Sequence, residues 1–169
     1  MMNHLAIVLI LATSHVAGCA PKHPPAPPAT TQAVTASDED DLREAVFRHL
    51  FDHNLSGRQK TAQVFCLQIE NRGDPSAELL KRFVDQKPSV KPLSRCTVKK
   101  GAEGGEVLDD TGARGLIFRV DSIRRTGHDT AEIEGGYFET GLSASGNVYE
   151  LVKENNRWVV KKDTMKWIS

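Results

Sequence analysis

Two histidines, His49 and His53, stand four residues apart in a stretch whose apolar residues repeat at helical spacing. An i, i+4 pair places both imidazoles on one face of a helix, and zinc sites use this spacing. The stretch has no glutamate in an H-E-x-x-H pattern and no third ligand nearby in the sequence. His49 and His53 are therefore metal candidates by spacing alone, and we predict a helix-edge pair with no metal bound.

The acidic residues Asp109, Asp110 and Asp121 are a second group that could do chemistry, with His128 as an acid–base partner. Asp109 and Asp110 stand before Thr-Gly, a composition that favours a turn, and Asp121 suits an exposed strand face. The sequence contains no nucleophile elbow, P-loop or dinucleotide fingerprint. We predict no cofactor. The missing motifs favour a domain that is not an enzyme, and an enzyme is kept as the alternative.

The charge balance narrows the partners that the protein can have. Lysine and arginine number 22 together, as do aspartate and glutamate, so the formal net charge is zero. Non-specific binding to nucleic acid depends on neutralising phosphates, and a polybasic membrane patch needs clustered lysine and arginine. The composition therefore argues against nucleic acid and against a polybasic patch.

The N-terminus carries the most specific pattern of the chain. The apolar run Leu5–Ala12 is too short to span about 30 Å of hydrocarbon, but it suits the apolar core of a signal peptide. It is followed by Val16-Ala17-Gly18-Cys19, an aliphatic residue, two small residues and a cysteine. This motif resembles the lipobox of bacterial lipoprotein precursors, although the first four residues contain no lysine or arginine.

The resemblance implies that residues 1–18 are removed and that Cys19 carries a diacylglyceryl group, usually with an added N-acyl chain. Two or three acyl chains make a stable anchor, whereas a single chain binds only marginally. The expected location is the cell membrane or the outer membrane, with the domain outside the cytoplasm, and Ala20 favours the outer membrane where a host has two. The alternatives are a secreted protein with an unmodified Cys19 and a protein held by an N-terminal membrane helix.

Residues 19–36 are predicted to be the lipidated cysteine and a linker. The stretch 20–36 contains five prolines among alanine and threonine, a composition that cannot offset the entropy of ordering a backbone. Proline biases such a chain towards polyproline II, which would hold the domain up to about 50 Å from the bilayer. A spacer is the preferred interpretation, and a proline-rich ligand for a partner domain is the alternative.

In an exported protein, a lipidated Cys19 leaves Cys66 and Cys96 as an even pair, 30 positions apart. Each lies in a predicted strand beside the second predicted helix. A bridge there would stabilise the fold by roughly 3–4 kcal/mol on the loop-entropy estimate. The alternative is two unpaired buried cysteines that act as small hydrophobic residues.

Periodicity and turn signals predict the elements of residues 37–169, which we expect to form a single domain. The first helix runs from Ser37 as N-cap to about His53, and the second from Asp74 as N-cap to Lys87. A bulge or sharp bend is predicted at Gly135-Gly136, a loop at 141–146, and a packed C-terminal tail. The predicted strands are 62–69, 95–99, 115–123, 131–139, 147–153 and 157–162.

This order predicts an α+β fold with two helices packed on a curved antiparallel sheet. In element order it resembles the NTF2-like or cystatin-like roll. Residues 135–160 resemble the terminal hairpins of small uncharacterised exported bacterial domains, a likeness that implies no activity.

Two functions follow as hypotheses. The preferred one is a lipid-anchored cell-envelope domain that is not an enzyme and binds an envelope protein or supports the envelope. The other is an NTF2-like small-molecule binder or enzyme with a pocket between the first helix and the sheet, where Tyr137, Tyr149 and Asp121 are candidates. A cavity of about 300 Å³ or more with polar groups inside would favour the second. A concavity filled by Phe47, Phe51 and Trp158 would favour the first.

Overall fold

The computed structural model describes residues 36–100 and 105–169, so the lipobox, Cys19 and most of the predicted linker lie outside the described residues. The described part is α+β, with two α-helices and a six-stranded sheet, which confirms the predicted fold class. No helix in these ranges is both long and apolar enough to cross a membrane. The elements are α1 Ala36–His53, β1 Val64–Ile69, α2 Ala77–Lys81, β2 Ser89–Pro92, β3 Cys96–Lys99, β4 Glu106–Asp109, β5 Gly115–Arg125, β6 Thr130–Thr140, β7 Ser143–Glu154 and β8 Arg157–Ile168.

The sheet is mixed, which corrects the predicted antiparallel sheet. Its strand order is β2-β1-β5-β6-β7-β8, and β1 pairs in parallel with both β2 and β5. The remaining neighbours are antiparallel hairpins. The parallel pairs arise because the chain crosses over between their strands, first through α2 and then through the separate β3–β4 ribbon.

The second helix is much shorter than predicted. It covers only Ala77–Lys81, and its N-cap is Ser76, whose hydroxyl accepts a hydrogen bond from the Leu79 amide. The predicted cap, Asp74, instead accepts a hydrogen bond from the amide of Ser94, twenty positions away. Asp74 therefore makes a tertiary contact with Ser94 and does not cap the helix as the local pattern predicted. The strands β2 and β4 were not predicted.

The helix α1 packs its predicted stripe into the main core. Leu42, Val46 and Leu50 are buried, as are Phe47 and Phe51 beside them. Ser37 is not the N-cap, because the helix already includes Ala36. The aromatic contact continues into the sheet, where the rings of Phe51 and Phe65 lie 5.0 Å apart and those of Phe65 and Phe118 lie 4.9 Å apart.

Charged side chains hold the N-terminal half of α1. Arg43 is buried and donates hydrogen bonds to Asp40, Glu39 and Glu70, the last across to the segment after β1. Burial alone would lower the pKa of Arg43, but these carboxylates outweigh it and raise the pKa. One turn earlier, Asp38 forms an ion pair with Arg125, so the start of α1 lies beside the end of β5.

The glycine pair on β6 lies where strands approach closely. A Cβ on Gly135 would collide with the carbonyl oxygen of Arg119, and one on Gly136 would collide with that of Ser145. The register shifts between Val120, which pairs with Gly135, and Ser122, which pairs with Glu134, so the extra residue on β5 is Asp121. The predicted bulge is thus present beside Gly135, but β5 carries it.

The C-terminal hairpins are longer than predicted. The loop predicted at 141–146 shrinks to Gly141 and Leu142, because β7 begins at Ser143. Asn155 and Asn156 form the tight turn between β7 and β8, both with positive φ. The tail pairs with β7 as far as Ile168, yet Met165, Trp167 and Ile168 stay about half exposed, so the predicted packing is only partly correct.

The disulfide between Cys66 and Cys96 is formed, as predicted, with the Cα atoms 6.3 Å apart. It joins β1 to the start of β3 and so fastens the ribbon to the face of the sheet opposite α1. A small second core surrounds it, formed by Val64, Cys66, Val107 and Ile117.

Reducing this bridge is expected to destabilise the domain by roughly 3–4 kcal/mol, because the unfolded chain regains the freedom of the closed loop. Urea unfolding of the protein with and without reductant measures the loss. The Cys66→Ala/Cys96→Ala variant is the control, and its stability should no longer depend on reductant. A wild-type midpoint that stays unchanged in reductant would contradict the expectation.

Candidate functional site

The histidine pair makes separate contacts. The Nε2 atom of His49 lies 3.1 Å from Oδ2 of Asp163, and Nδ1 of His53 lies 3.2 Å from the backbone carbonyl oxygen of His49. The two rings stack with their centroids 4.7 Å apart. Within residues 36–100 and 105–169, no group of three or more histidine, cysteine or acidic side chains could hold a metal ion.

His49 belongs to a chain of polar side chains at the C-terminal end of α1. Ser145 donates to the side-chain oxygen of Asn147, whose amide nitrogen lies 2.6 Å from Oδ1 of Asp163. His49 contacts the other oxygen of the same carboxylate. Ser145, Asn147 and Asp163 border a cleft of about 210 Å³, which Tyr137, Tyr149 and His53 also line.

Tyr149, one of the residues that line this cleft, has a buried hydroxyl. Tyr149 is fully buried, and its Oη atom has no hydrogen-bond partner among the described residues. Burial, with the nearby Asp163 carboxylate, raises the pKa of this phenol, so it remains a neutral donor. The cleft is therefore small and lined by both polar and apolar side chains, and Tyr149 on its wall holds one buried donor without a partner among the described residues.

The space between α1 and the centre of the sheet is filled. Phe47 and Phe51 project from α1 into the main core, and Trp158 of β8 joins the same cluster. Of the residues predicted to line a pocket there, Tyr137 and Tyr149 border the small cleft, while Asp121 lines a cavity with Arg119 and Trp167.

The predicted acidic group does not come together. Asp109 accepts hydrogen bonds from Lys91, from the backbone amides of Thr111 and Ala113, and from the Thr111 hydroxyl. The contact with Lys91 is the main reason that the pKa of Asp109 falls well below its ordinary value. Asp110 contacts Lys91 and Arg95, whereas His128 lies in the β5–β6 turn beside Asp129. Asp109 and Asp110 thus stabilise a turn, as their sequence context indicated.

A larger groove lies beside the β3–β4 ribbon, with a volume of about 390 Å³. Its apolar lining includes Val98 of the ribbon and Ile117, Phe138 and Ala144 of the sheet. Five longer side chains complete the lining: Gln68, Arg72, Arg119, Tyr137 and Trp167. We call this feature the ribbon groove.

Arg119 and Trp167 are the central pair of the ribbon groove. The guanidinium of Arg119 lies 5.4 Å from the centroid of the Trp167 ring, a cation–π contact. It also bonds to Asp121 at 2.7 Å and to the Ser145 carbonyl oxygen at 2.9 Å. Both residues also line a second cavity of about 220 Å³. Burial raises the pKa of Asp121 in spite of Arg119.

Gly146 makes the position of Trp167 possible. The indole ring lies against Gly146, so that any Cβ at this position would collide with the ring. Neither Arg119 nor Trp167 was predicted as a site residue. The alternation in β5 places Arg119 and Asp121 on one face, but only the β7–β8 register places Trp167 over them.

No protein-family model matches this chain, and neither curated proteins nor solved structures give a match. Any function must therefore be argued from the residues of the groove and the cleft.

The Tyr149→Phe substitution tests whether the buried hydroxyl lacks a hydrogen-bond partner. Removing an unpartnered polar atom from the interior should leave stability unchanged or raise it by up to about 1 kcal/mol. Thermal and urea unfolding measure the change, with Asp163→Asn as the comparison that disturbs the hydrogen-bonded chain. A loss of more than about 1 kcal/mol in Tyr149→Phe would show that the hydroxyl has a bound partner.

Proposed function

We propose that the protein is a lipid-anchored component of the bacterial cell envelope whose domain binds an envelope protein and is not an enzyme. The ribbon groove is the observation that carries this proposal. It combines an apolar lining with Arg119 and a half-exposed Trp167. Arginine and tryptophan are the residues most often found at the energetic centre of protein interfaces.

The anchor and the location are supported by two independent features. The motif Val16-Ala17-Gly18-Cys19 resembles a lipobox and follows an apolar run of suitable length. The Cys66–Cys96 disulfide is of the kind that persists outside the cytoplasm, where the environment is oxidising. Together they favour a domain held at the cell membrane or the outer membrane by lipid on Cys19.

The contacts inside the ribbon groove favour binding over catalysis. Arg119 and Asp121 neutralise each other, and Arg119 is further fixed by the Ser145 carbonyl oxygen and the Trp167 ring. Among the described residues that line the groove, none pairs a nucleophile with a base. A rigid aromatic surface with a fixed cation suits recognition of another molecule.

A small-molecule binder with an NTF2-like pocket is the second candidate, and the free Tyr149 hydroxyl favours it. The size of the cleft counts against it. Its volume of about 210 Å³ is below the range of about 300–1,000 Å³ typical of ligand pockets. Phe47, Phe51 and Trp158 fill the space next to it.

The intact mass of the membrane-extracted protein tests the anchor. We expect a chain that begins at Cys19 with two or three acyl chains attached. The mass should rise by two hydrogens on reduction, because the Cys66–Cys96 bridge opens. The Cys19→Ser variant is the control and should keep residues 1–18 and carry no lipid. A wild-type mass without lipid would refute the anchor.

Site-specific photo-crosslinking in cells tests the binding function. A photoreactive amino acid in place of Val98, at the rim of the ribbon groove, should give an adduct with a discrete envelope protein. The Trp167→Ala and Arg119→Ala variants should lose this adduct, because both anchors belong to the groove.

The same probe in place of Val84 is the matched control. Val84 is 78% exposed but lies outside the groove. An adduct that persists in both anchor variants, or that forms equally from Val84, would refute the groove as the binding site.

A further inference from the structure

We propose that one end of the domain rests on the bilayer surface through an apolar tip formed by Leu55, Leu142, Met165 and Ile168. These side chains are 66%, 72%, 48% and 52% exposed, although all four are large and apolar. The contact is separate from the ribbon groove and rests on the proposed lipid anchor at Cys19.

A buried carboxylate brings two parts of the tip together. Glu139, near the end of β6, accepts hydrogen bonds from Ser56 at 2.6 Å and from Ser143 at 2.9 Å. Arg58 lies 3.1 Å from its other oxygen and balances its charge. Leu55 precedes Ser56 and Leu142 precedes Ser143, so this clamp holds the two leucines at the same end of the sheet.

The last strand supplies the rest of the tip. Met165 lines the small cleft together with Leu55. Ile168 pairs with Ser145, only three positions after Leu142. Several exposed apolar side chains gathered at one end of a folded domain mark a surface that a membrane or another molecule covers.

The tether is long enough for this end to reach the bilayer. The chain joins the domain at the start of α1, where Asp38 contacts Arg125 at the opposite end of β5. The eighteen-residue α1 is about 27 Å long, and the tip lies beyond its C-terminal end. Residues 20–35 could extend about 50 Å as polyproline II, which exceeds the length of α1.

The chemistry of the tip suits a lipid surface. Its four side chains are aliphatic or thioether groups, and Lys60 lies in the same loop as Leu55. Lys60 is exposed and forms no ion pair within the described ranges. A lysine stem can lie on apolar groups while its ammonium reaches the lipid headgroups.

Anchoring also removes the need for strong binding at the tip. A lipid on Cys19 makes contact with the membrane an intramolecular event, so the effective concentration of the bilayer is high. A few shallow apolar side chains would then suffice to orient the domain, although they would not recruit it from solution.

A fluorescence experiment on the full lipidated chain tests this proposal. Because Cys19 is acylated and Cys66 is bridged to Cys96, a Leu142→Cys variant offers a single free thiol for a polarity-sensitive dye. In vesicles of phosphatidylcholine and phosphatidylglycerol, we expect a blue-shifted emission that lipids with a headgroup-level quencher reduce. Adding Leu55→Ser should weaken both effects.

The matched control is Val84→Cys, which labels an equally exposed apolar position away from the tip. It should show the emission of a water-exposed dye and no quenching by lipid. Equal behaviour of the two labels would overturn the proposal. So would a shielded Leu142→Cys label that lipid does not quench and that depends on protein density, since a second copy would then cover the tip.

A chain without the proposed lipid on Cys19 would give a different result in flotation and in mass measurement. A chain without acyl chains would not float with the vesicles, and its mass would reveal the unmodified Cys19. The tip proposal would then fall with the proposed anchor. An acylated chain that floats with vesicles while its tip stays in water would refute the tip alone.

Discussion

The aromatic contact between α1 and the centre of the sheet is the interaction on which the rest of the structure depends. Phe51 of α1 stacks on Phe65 of β1, which in turn meets Phe118 of β5. The contact fixes the helix against the parallel part of the sheet. On the reverse of the same strands, Val64, Cys66 and Ile117 form the second core under the ribbon. Parallel strands need this cover on both faces.

Within residues 36–100 and 105–169, the far half of the sheet has cover on one face only. There α1 shields the inner side, while the short ribbon leaves the other side open around Arg119 and Trp167. The ribbon groove exists because of this unequal cover. Gly146 adds to it, since only a residue without a side chain lets the indole lie against the strand.

Patterns of local origin could be predicted from the sequence. The i+4 stripe of Leu42, Val46 and Leu50 identified α1 and its buried face, and the parity of cysteines indicated the Cys66–Cys96 bridge. Long-range contacts that compete with local patterns could not be predicted. Asp74 accepts a hydrogen bond from the Ser94 amide, and the second helix takes Ser76 as its N-cap instead. The ribbon groove could not be predicted for a similar reason. Trp167 contacts Arg119 only because of the register in which β7 and β8 pair.

The two edges of the sheet differ in a way that matters for copies that the proposed lipid anchor would concentrate on a membrane surface. The edge strand β2 has four residues and lies between prolines, whereas β8 has twelve residues and an unpaired outer side. Such an edge could template pairing between copies. Two register shifts interrupt it, and the extra residues are Lys161 and Lys166. A bulge twists the edge, and the exposed Lys166 adds a charge to it, whereas Lys161 is paired with Glu154. The strand thus resists the self-association that the proposed lipid anchor would favour by concentrating copies on one surface.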